Sequence, residues 1–555
     1  MQEIEWSEWS KEAFEEAKKQ EKLVLLDIHG TWCHWCHVAD KTSFADKDVI
    51  KLVNEKFVAI KVDLDKRPDI NERYNMGGWP TIAILTPEGD IVTGRTYMPA
   101  EQLFSLLVRT LDLYKSDRLR FERFIKQNKR EREEILVEKT VKLDPSKLGF
   151  LDKVIIANFD KENNGFGFTP KFPMPELTSY CFLRYRTTGN REFLEMGEKS
   201  LLGVKKIFDK EEGGFYRYAV NRDWSVPHYE KMLEGNSLLL INLLEGMQLT
   251  ANKEFKQTAE ETVSYLQKNL WGSKWFFGSQ DADEEYYSLD LVKRREKKKP
   301  RVDKTLYTNL NCLAINAFLK AGNVLEKQEL IKQAISALNF LLLHCYNRER
   351  GVCHYWKEEQ KIFGLLSDNV HLIETLLNAF ETMQEKEFLE KAEKHAEWVL
   401  EKFLDDKQQL LLDSLRVEEE HGYLKEKMPK LGENSLMAAS LVKLSMLSEK
   451  QAFRKKAETI LSNLKGEVER YNLFAASYGI ALETCLNPIK ISVKGSRELF
   501  SQCQRFFEPR ATRVFEEAKE NSIIVCVSKK CLKPARTSIE MEKLLEQETA
   551  VKQKA

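Results

Sequence analysis

Apolar and polar residues follow two different rhythms along this chain. In the first 115 residues, short apolar runs are separated by helical stretches. Leu23-Val24-Leu25-Leu26-Asp27-Ile28 shows almost no alternation, as expected of a strand covered on both faces. Phe57–Asp63 and Thr81–Leu85 read as further strands, and Ile91-Val92-Thr93 follows the turn Pro87-Glu88-Gly89-Asp90. Helical periodicity runs from the cysteines near residue 33 to Asn54, over Pro68–Tyr74 with proline in its first turn, and again from about Pro99. The predicted order is α-β-α-β-α-β-β-α, an α/β fold over residues 1–115.

From 116 to 143 charge dominates, and the pattern predicts a solvated helical linker. Beyond it, over 144–488, the chain is nearly all helical and repeats itself. Asn236-Ser-Leu-Leu-Leu, Asn311-Cys-Leu-Ala-Ile, Asn369-Val-His-Leu-Ile and Asn434-Ser-Leu-Met-Ala each open a helix rich in small and apolar residues. Each is followed by a turn and an amphipathic helix such as Lys386 to Phe403. A recurring helical hairpin signals a stacked or closed array. The near-uniform apolarity of the first helix in each pair favours closure, because such a helix packs on both neighbours and on a central axis. An all-α (α/α)6 toroid is the expectation. Residues 489–555 change character again, with Ile489–Val493 and Ser522–Val527 as strands around a helix in a small α/β segment.

Composition narrows the function classes. Lys+Arg and Asp+Glu both number 87, so no global field favours nucleic acid or an anionic membrane. No run approaches the roughly 20 apolar residues of a membrane span. The first 22 residues are acidic and amphipathic, without the basic and apolar regions of a secretory leader. Ten cysteines, eight of them scattered singly, fit a reducing compartment, and a cytoplasmic location is expected.

The chemistry concentrates in Gly30-Thr31-Trp32-Cys33-His34-Trp35-Cys36-His37. Read as C-x-x-C-H it is a haem attachment signal, and its two cysteines and two histidines could hold zinc. Ligands this close on one helix cannot all point at one ion, and covalent haem needs a maturation route and a second axial ligand. A W-C-x-x-C turn ending an apolar strand is best read as a redox centre. No metal and no cofactor is expected, and His37 reads as a residue that packs or supports the centre rather than as a ligand.

Asp27, Trp32-Cys33-x-x-Cys36, Tyr74, Gly78-x-Pro80-Thr81 and Gly89 together resemble the thioredoxin fold in order and spacing, with His34-Trp35 between the cysteines. The resemblance implies Cys33 as nucleophile at a helix N-terminus and Cys36 as resolving thiol. A protonated His34 would stabilise the thiolate further. Pro80 corresponds to a cis-proline whose loop, with Trp79, pairs with substrate. Asp27 corresponds to a buried carboxylate that shuttles the resolving thiol's proton, the alternative being a polar strand end. The implied partner is a protein or low-molecular-weight thiol or disulfide.

A longer pattern is similar to one thioredoxin branch, the DUF255 (spermatogenesis-associated protein 20-like, YyaL-type) family. It comprises C-H-W-C-H from Cys33 with Ser43-Phe44, then Gly165-Phe166-Gly167 and Pro170-Lys171-Phe172-Pro173. It continues with Val226-Pro-His-Tyr-Glu-Lys-Met-Leu233 and Asp281-Ala-Asp283. That resemblance implies a helical half like six-hairpin glycosidases and N-acylglucosamine 2-epimerases, with a cup for a sugar-like molecule. Lys171, Arg217, Trp224, His228, Glu230, Asp281 and Asp283 are the candidate cup residues. His228 with Glu230 could be an acid/base pair and Asp281 with Asp283 paired carboxylates; equally, these groups could cap helices or fix loops. If the array closes, these loops should converge at one end. The same longer pattern ends in Cys526-x-x-x-x-Cys531; these two could form a pair, though too few for a zinc site, and packing cysteines are the preferred reading.

Overall fold

The computed structural model describes residues 3–117, 119, 121–123, 125, 126, 142–415 and 420–554. The chain forms two compact units. The first holds residues up to 136 together with two later returns of the chain, 281–283 and 414–428; the second holds the remainder.

The first unit is built on strands β1 (Trp6–Ser7), β2 (Leu23–His29), β3 (Phe57–Asp63), β4 (Thr81–Leu85) and β5 (Ile91–Arg95), in the sheet order β1-β3-β2-β4-β5. Strands β1 and β2 run parallel to β3, while β4 is antiparallel to both β2 and β5. Its helices are α1 (Lys11–Lys19), α2 (His34–Lys41), α3 (Lys47–Lys56), α4 (Pro68–Tyr74) and α5 (Ala100–Ser116). Leu23 to Ile28 are all buried, which is why that run shows no alternation. Helices α3 and α5 bury Val49, Val53, Leu103 and Leu107 with Leu25 and Ile82 of the sheet in one cluster.

Three details differ from the sequence expectation. The single helix from the cysteines to Asn54 is two helices, because the Asp46 carboxylate accepts from the Asp48 and Val49 amides, both at 3.0 Å, and starts α3 afresh. Phe121 and Ile125 are buried in the same core, so this unit continues past residue 115. The rest of the expected linker, at 118, 120, 124 and 127–141, lies outside the described residues. Finally, the segment 420–428 belongs to this unit. Tyr74 Oη donates to the Gly89 carbonyl at 2.8 Å and accepts from the Tyr423 amide at 2.9 Å. Arg73 donates to the carbonyls of Tyr423 and Glu426, at 2.9 and 2.7 Å. Gly422 has φ +56° and runs backbone to backbone against Gly89, where any Cβ would overlap.

The second unit contains the helical ring. Six inner helices, Pro175–Thr188, Leu233–Thr250, Thr308–Val324, Leu366–Met383, Leu431–Leu447 and Ala476–Leu486, each pack on the next, and the last packs on the first. The first five are each followed by an outer helix; the sixth is partnered by Ser146–Ala157 from the start of the domain. This is the expected (α/α)6 toroid. Twelve of the 17 residues of Thr308–Val324 are buried, as an inner helix requires, whereas Lys386–Phe403 buries only a stripe from Phe388 to Phe403. At the closure, buried Arg184 bridges Asp152 (2.6 Å) and Glu483 (3.1 Å), joining three helices from opposite ends of the domain.

The repeated asparagines have a common role. Asn236, Asn311, Asn369 and Asn434 are each the fourth residue of an inner helix, so the helices begin three residues earlier than the sequence pattern suggests. Each amide oxygen accepts a backbone N–H from the preceding loop: Phe215, Phe276, Val352 and Leu411, at 2.7–3.2 Å. Their NH2 groups donate to carbonyls of the same loop or of the helix start, as Asn311 does to Phe276 and Tyr307. The repeat is an amide clamp that fixes each loop to its helix.

Residues 489–554 close the C-terminal end of the ring. A sheet in the order Ala511–Glu517, Ile489–Gly495, Ser522–Val527, Lys530–Cys531 carries a helix, Arg497–Arg505. Gln248 donates to the Arg505 carbonyl (2.6 Å), Gln504 to that of Glu381 (2.8 Å) and Lys490 to that of Met446 (2.8 Å). All three inner-helix partners lie in the last turns of their helices. The loops at the opposite end carry the candidate cup residues Arg217, His228 and Glu230.

Candidate functional site

Cys33 is the N-cap of α2, with φ −84° and ψ 115°, and its Sγ accepts the Cys36 amide at 3.3 Å. The sulfur therefore faces the free amides and positive dipole end of the helix, which favour a thiolate. Cys33 and Cys36 are joined as a disulfide, with Cα atoms 5.3 Å apart. Both are buried, whereas Trp35 between them is 45% exposed and packs 5.2 Å from Tyr97. His34 is half-buried, edge-on to Trp35.

Asp27 lies in β2, is 1% exposed, and its Oδ1 has no hydrogen-bond partner. Lys61 Nζ is 3.4 Å from its Oδ2 and 2.6 Å from Asp40. Burial pushes the Asp27 carboxyl up to about 7; Lys61 opposes that shift and Asp40 adds to it. His29, two residues on, is held down at about 4 by burial and by Lys61. Asp27 is thus a group that titrates near neutrality one strand end away from the disulfide.

Trp79–Pro80 is a cis peptide. Pro80 immediately precedes β4, whose Thr81 stands opposite Ile28 of β2, so this loop lies at the sheet end from which the CHWC turn departs. Trp79 donates to Asn71 Oδ1 at 2.8 Å and stands edge-on to Trp32, whose own indole donates to Asp65 at 2.6 Å.

Asp281 and Asp283 belong to the first unit. Asp281 Oδ2 is 3.8 Å from Nδ1 of His37, whose Nε2 lies 3.0 Å from the Thr31 carbonyl. The ring after the second cysteine is therefore held between the turn that precedes the centre and a carboxylate from far along the chain. His37 thus braces the turn, the supporting role open to it beside packing, and Asp281 is the carboxylate it pairs with. Nothing local links residues 244 positions apart, so no signal in the sequence joins them.

In the second unit the expected cup residues divide. Arg217, His228 and Glu230 come together: Glu230 Oε1 is 3.7 Å from His228 Nδ1 and its Oε2 is 3.5 Å from Arg217 Nε. Tyr218 stacks on His228 at 4.4 Å and on Phe172 at 4.4 Å. Glu230 is almost fully buried; burial raises its carboxyl, but His228 and Arg217 outweigh that and hold it below the ordinary range. Lys171 and Trp224 do not line this cluster as ligands. Lys171 is fully buried, with its ammonium on Asp160 (2.9 Å) and the Gly167 carbonyl (2.8 Å). The next loop repeats the device: Lys231 binds Asp209 (2.6 Å) and the Gly213 carbonyl (2.7 Å). Trp224 is 2% exposed and donates to the carbonyls of Asn163 and Asn164. Both groups hold loops, and a ligand cannot reach them.

Two carboxylates at this end escaped the sequence reading. Glu176 and Glu234 sit at the second positions of the first two inner helices, and both reach solvent. The surrounding ring nevertheless raises both carboxyls, Glu234 further because of Glu176, with His371 opposing. An acid in the first helical turn normally reads as a dipole partner, which conceals such a pair.

Residues 1–133 match the Thioredox_DsbH family, described as protein of unknown function DUF255. Spermatogenesis-associated protein 20 of Rattus norvegicus is 29% identical over 309 residues, covering 50% of this chain and 39% of that protein. An uncharacterised protein of Caenorhabditis elegans is 31% identical over 302 residues, 50% of this chain and 41% of its own. The chain thus spans about two fifths of these relatives' length. Thioredoxin-1 of Drosophila melanogaster is 34% identical over 65 residues, 12% of this chain and 58% of that one. Among solved structures, a sugar epimerase from a ruminal bacterium matches with a TM-score of 0.48 and 15% identity, over 57% of this chain and 83% of that one. Over residues 1–133, then, the chain is similar to the DUF255 family, and that region is thioredoxin-like in fold.

Proposed function

We propose that the chain is a thiol–disulfide oxidoreductase acting on a protein or low-molecular-weight disulfide. The observation that carries this reading is Cys33 at the N-cap of α2, bonded to Cys36 one turn on, with Asp27 buried nearby and titrating near neutrality. In the reduced centre, the Cys33 thiolate attacks a substrate sulfur and expels the other as a thiolate, leaving a mixed disulfide. Asp27 accepts the Cys36 proton, and the Cys36 thiolate attacks Cys33 Sγ, releasing the second substrate sulfur and re-forming the intramolecular bond. Trp35, Tyr97 and the Trp79-Pro80 loop supply an apolar groove for an extended substrate.

The experiment is reduction of insulin or a small aromatic disulfide with dithiothreitol as electron source. Cys33→Ser should abolish turnover, and Cys36→Ser should accumulate a mixed disulfide with substrate. Turnover that survives Cys33→Ser refutes the assignment. A second reading concerns the ring: Arg217, His228 and Glu230, with the raised acids Glu176 and Glu234, suit a small polar, sugar-like ligand that selects or regulates. Loss of such binding in Glu230→Gln, with insulin reduction unchanged, would support it.

A further inference from the structure

A second disulfide lies far along the chain, in the edge hairpin of the C-terminal sheet. Cys526 and Cys531 stand directly opposite in the antiparallel register of Ser522–Val527 with Lys530–Cys531, Cα atoms 3.9 Å apart. Strand alternation sends Ile523, Val525 and Val527 into the core, so Cys526 projects from the outer face, and Cys531 is exposed. Of the two readings the sequence allowed, the pair is the one present and the preferred packing reading is corrected: a spacing of five is uninformative until a turn at Ser528-Lys529 brings the two together.

The bond is poorly placed to stabilise the fold. The hairpin is already closed by backbone pairing, with the Leu532 amide on the Val525 carbonyl at 2.8 Å, and linking residues five apart restricts the unfolded chain little. The remaining six cysteines behave differently: Cys181, Cys312, Cys345, Cys353, Cys485 and Cys503 are buried free thiols. Around the hairpin, Lys529, Lys530, Lys533 and Arg536 are exposed, with Lys530 paired to Glu548 at 3.2 Å. Such a cationic rim stabilises a thiolate and raises the local concentration of an anionic reactant.

We propose that Cys526–Cys531 is a second, exchangeable dithiol–disulfide couple whose partner is a low-molecular-weight thiol bearing negative charge. A partner thiolate attacks the exposed Cys531 Sγ; the Sγ–Sγ bond breaks, Cys526 leaves as a thiolate and takes up a proton. A second partner thiolate attacks the partner's sulfur in the mixed disulfide, expelling Cys531 as a thiolate, which is then protonated. Two partner thiols are oxidised to one disulfide, and the protein pair gains two electrons and two protons. The hairpin register holds both thiols opposite each other, so re-oxidation needs no backbone rearrangement.

The test uses the full native chain and its Cys33→Ser/Cys36→Ser variant, so that the result does not depend on the CHWC centre. Both are equilibrated at graded glutathione redox ratios, quenched with a maleimide and read by peptide mass spectrometry. The peptides carrying Cys526 and Cys531 should pass from unlabelled to doubly labelled in both proteins, with the six buried cysteines unlabelled and the circular dichroism unchanged. At low salt, reduction by glutathione should outpace reduction by cationic cysteamine by roughly threefold or more, each normalised to its rate with a small disulfide, and the gap should close at high salt. A bond that yields to millimolar dithiothreitol only after unfolding overturns the proposal, as does the absence of any charge preference.

Discussion

Replacing Asp27 by Asn tests the electrostatic basis of the proposed redox centre. Its carboxyl titrates at about 7 in the fold, against roughly 3.9 in an unfolded chain. A raised carboxyl pKa means that the fold favours the neutral acid. Stability from this group is therefore fully present below about pH 4 and is lost as pH rises through 7. By linkage, wild type forfeits about 2 kcal/mol at pH 5.5 and about 4 kcal/mol at pH 8.5, whereas the side-chain amide of the variant does not titrate. The advantage of Asp27→Asn should thus widen by about 2 kcal/mol, roughly thirtyfold in an equilibrium constant, between those pH values. A chain of two units does not unfold in one step. The suitable assay is amide exchange in β2, which reports opening of the first unit alone once corrected for intrinsic rates. In parallel, infrared difference spectra of wild type against variant should show a carboxylic-acid band that bleaches with a midpoint near pH 7. A protection ratio that is the same at both pH values, or a midpoint below 5, would refute the reasoning.

Two further outcomes follow from the packing. Asn311→Ala strips partners from the buried Phe276 amide and carbonyl and should cost the helical ring about 3 kcal/mol, measured as a lower midpoint of its thermal transition; a neutral result would mean the clamp is redundant. Gly422→Ala drives a Cβ into Gly89 and the Tyr74 hydroxyl, and should release residues 420–428 to tryptic cleavage after Lys425 and Lys427 while sites within β2–β5 stay resistant; unchanged cleavage would show that the segment has another anchor.

Legibility in the sequence tracked how local the physics was. The buried run Leu23–Ile28, the Cys33-x-x-Cys36 turn and the Trp79-Pro80 loop are read from neighbours in the chain, and they stand where expected. The alternation of apolar and amphipathic helices announced the ring, since inner and outer helices need different surfaces. Long-range choice of partners was hidden. Lys171 and His228 both sit in loops rich in glycine and aromatics, yet Lys171 disappears beneath Asp160 while His228 stays half-buried beside Glu230. The asparagines were visible as a period, but their clamping role depends on where the preceding loop folds back. Asp281 lies beside the CHWC turn, which its neighbours in sequence give no reason to approach.

The closure of the ring also constrains how this protein is made. Ser146–Ala157 leaves the ribosome early, and its partner, Ala476–Leu486, emerges more than 300 residues later. At 5–20 residues per second, that is a wait of tens of seconds. Throughout it, the first inner helix has one flank without a neighbour, and the salt bridge from Arg184 to Glu483 cannot form. The nascent array is then an open spiral with apolar edges at both ends, able to pair with the wrong helix or with another nascent chain. Only the sixth hairpin removes both edges at once. Synthesis that stalls between residues 404 and 475 should consequently yield a species held by chaperones or degraded, while the thioredoxin-like core, whose sheet strands are complete by residue 95, has long since been able to assemble.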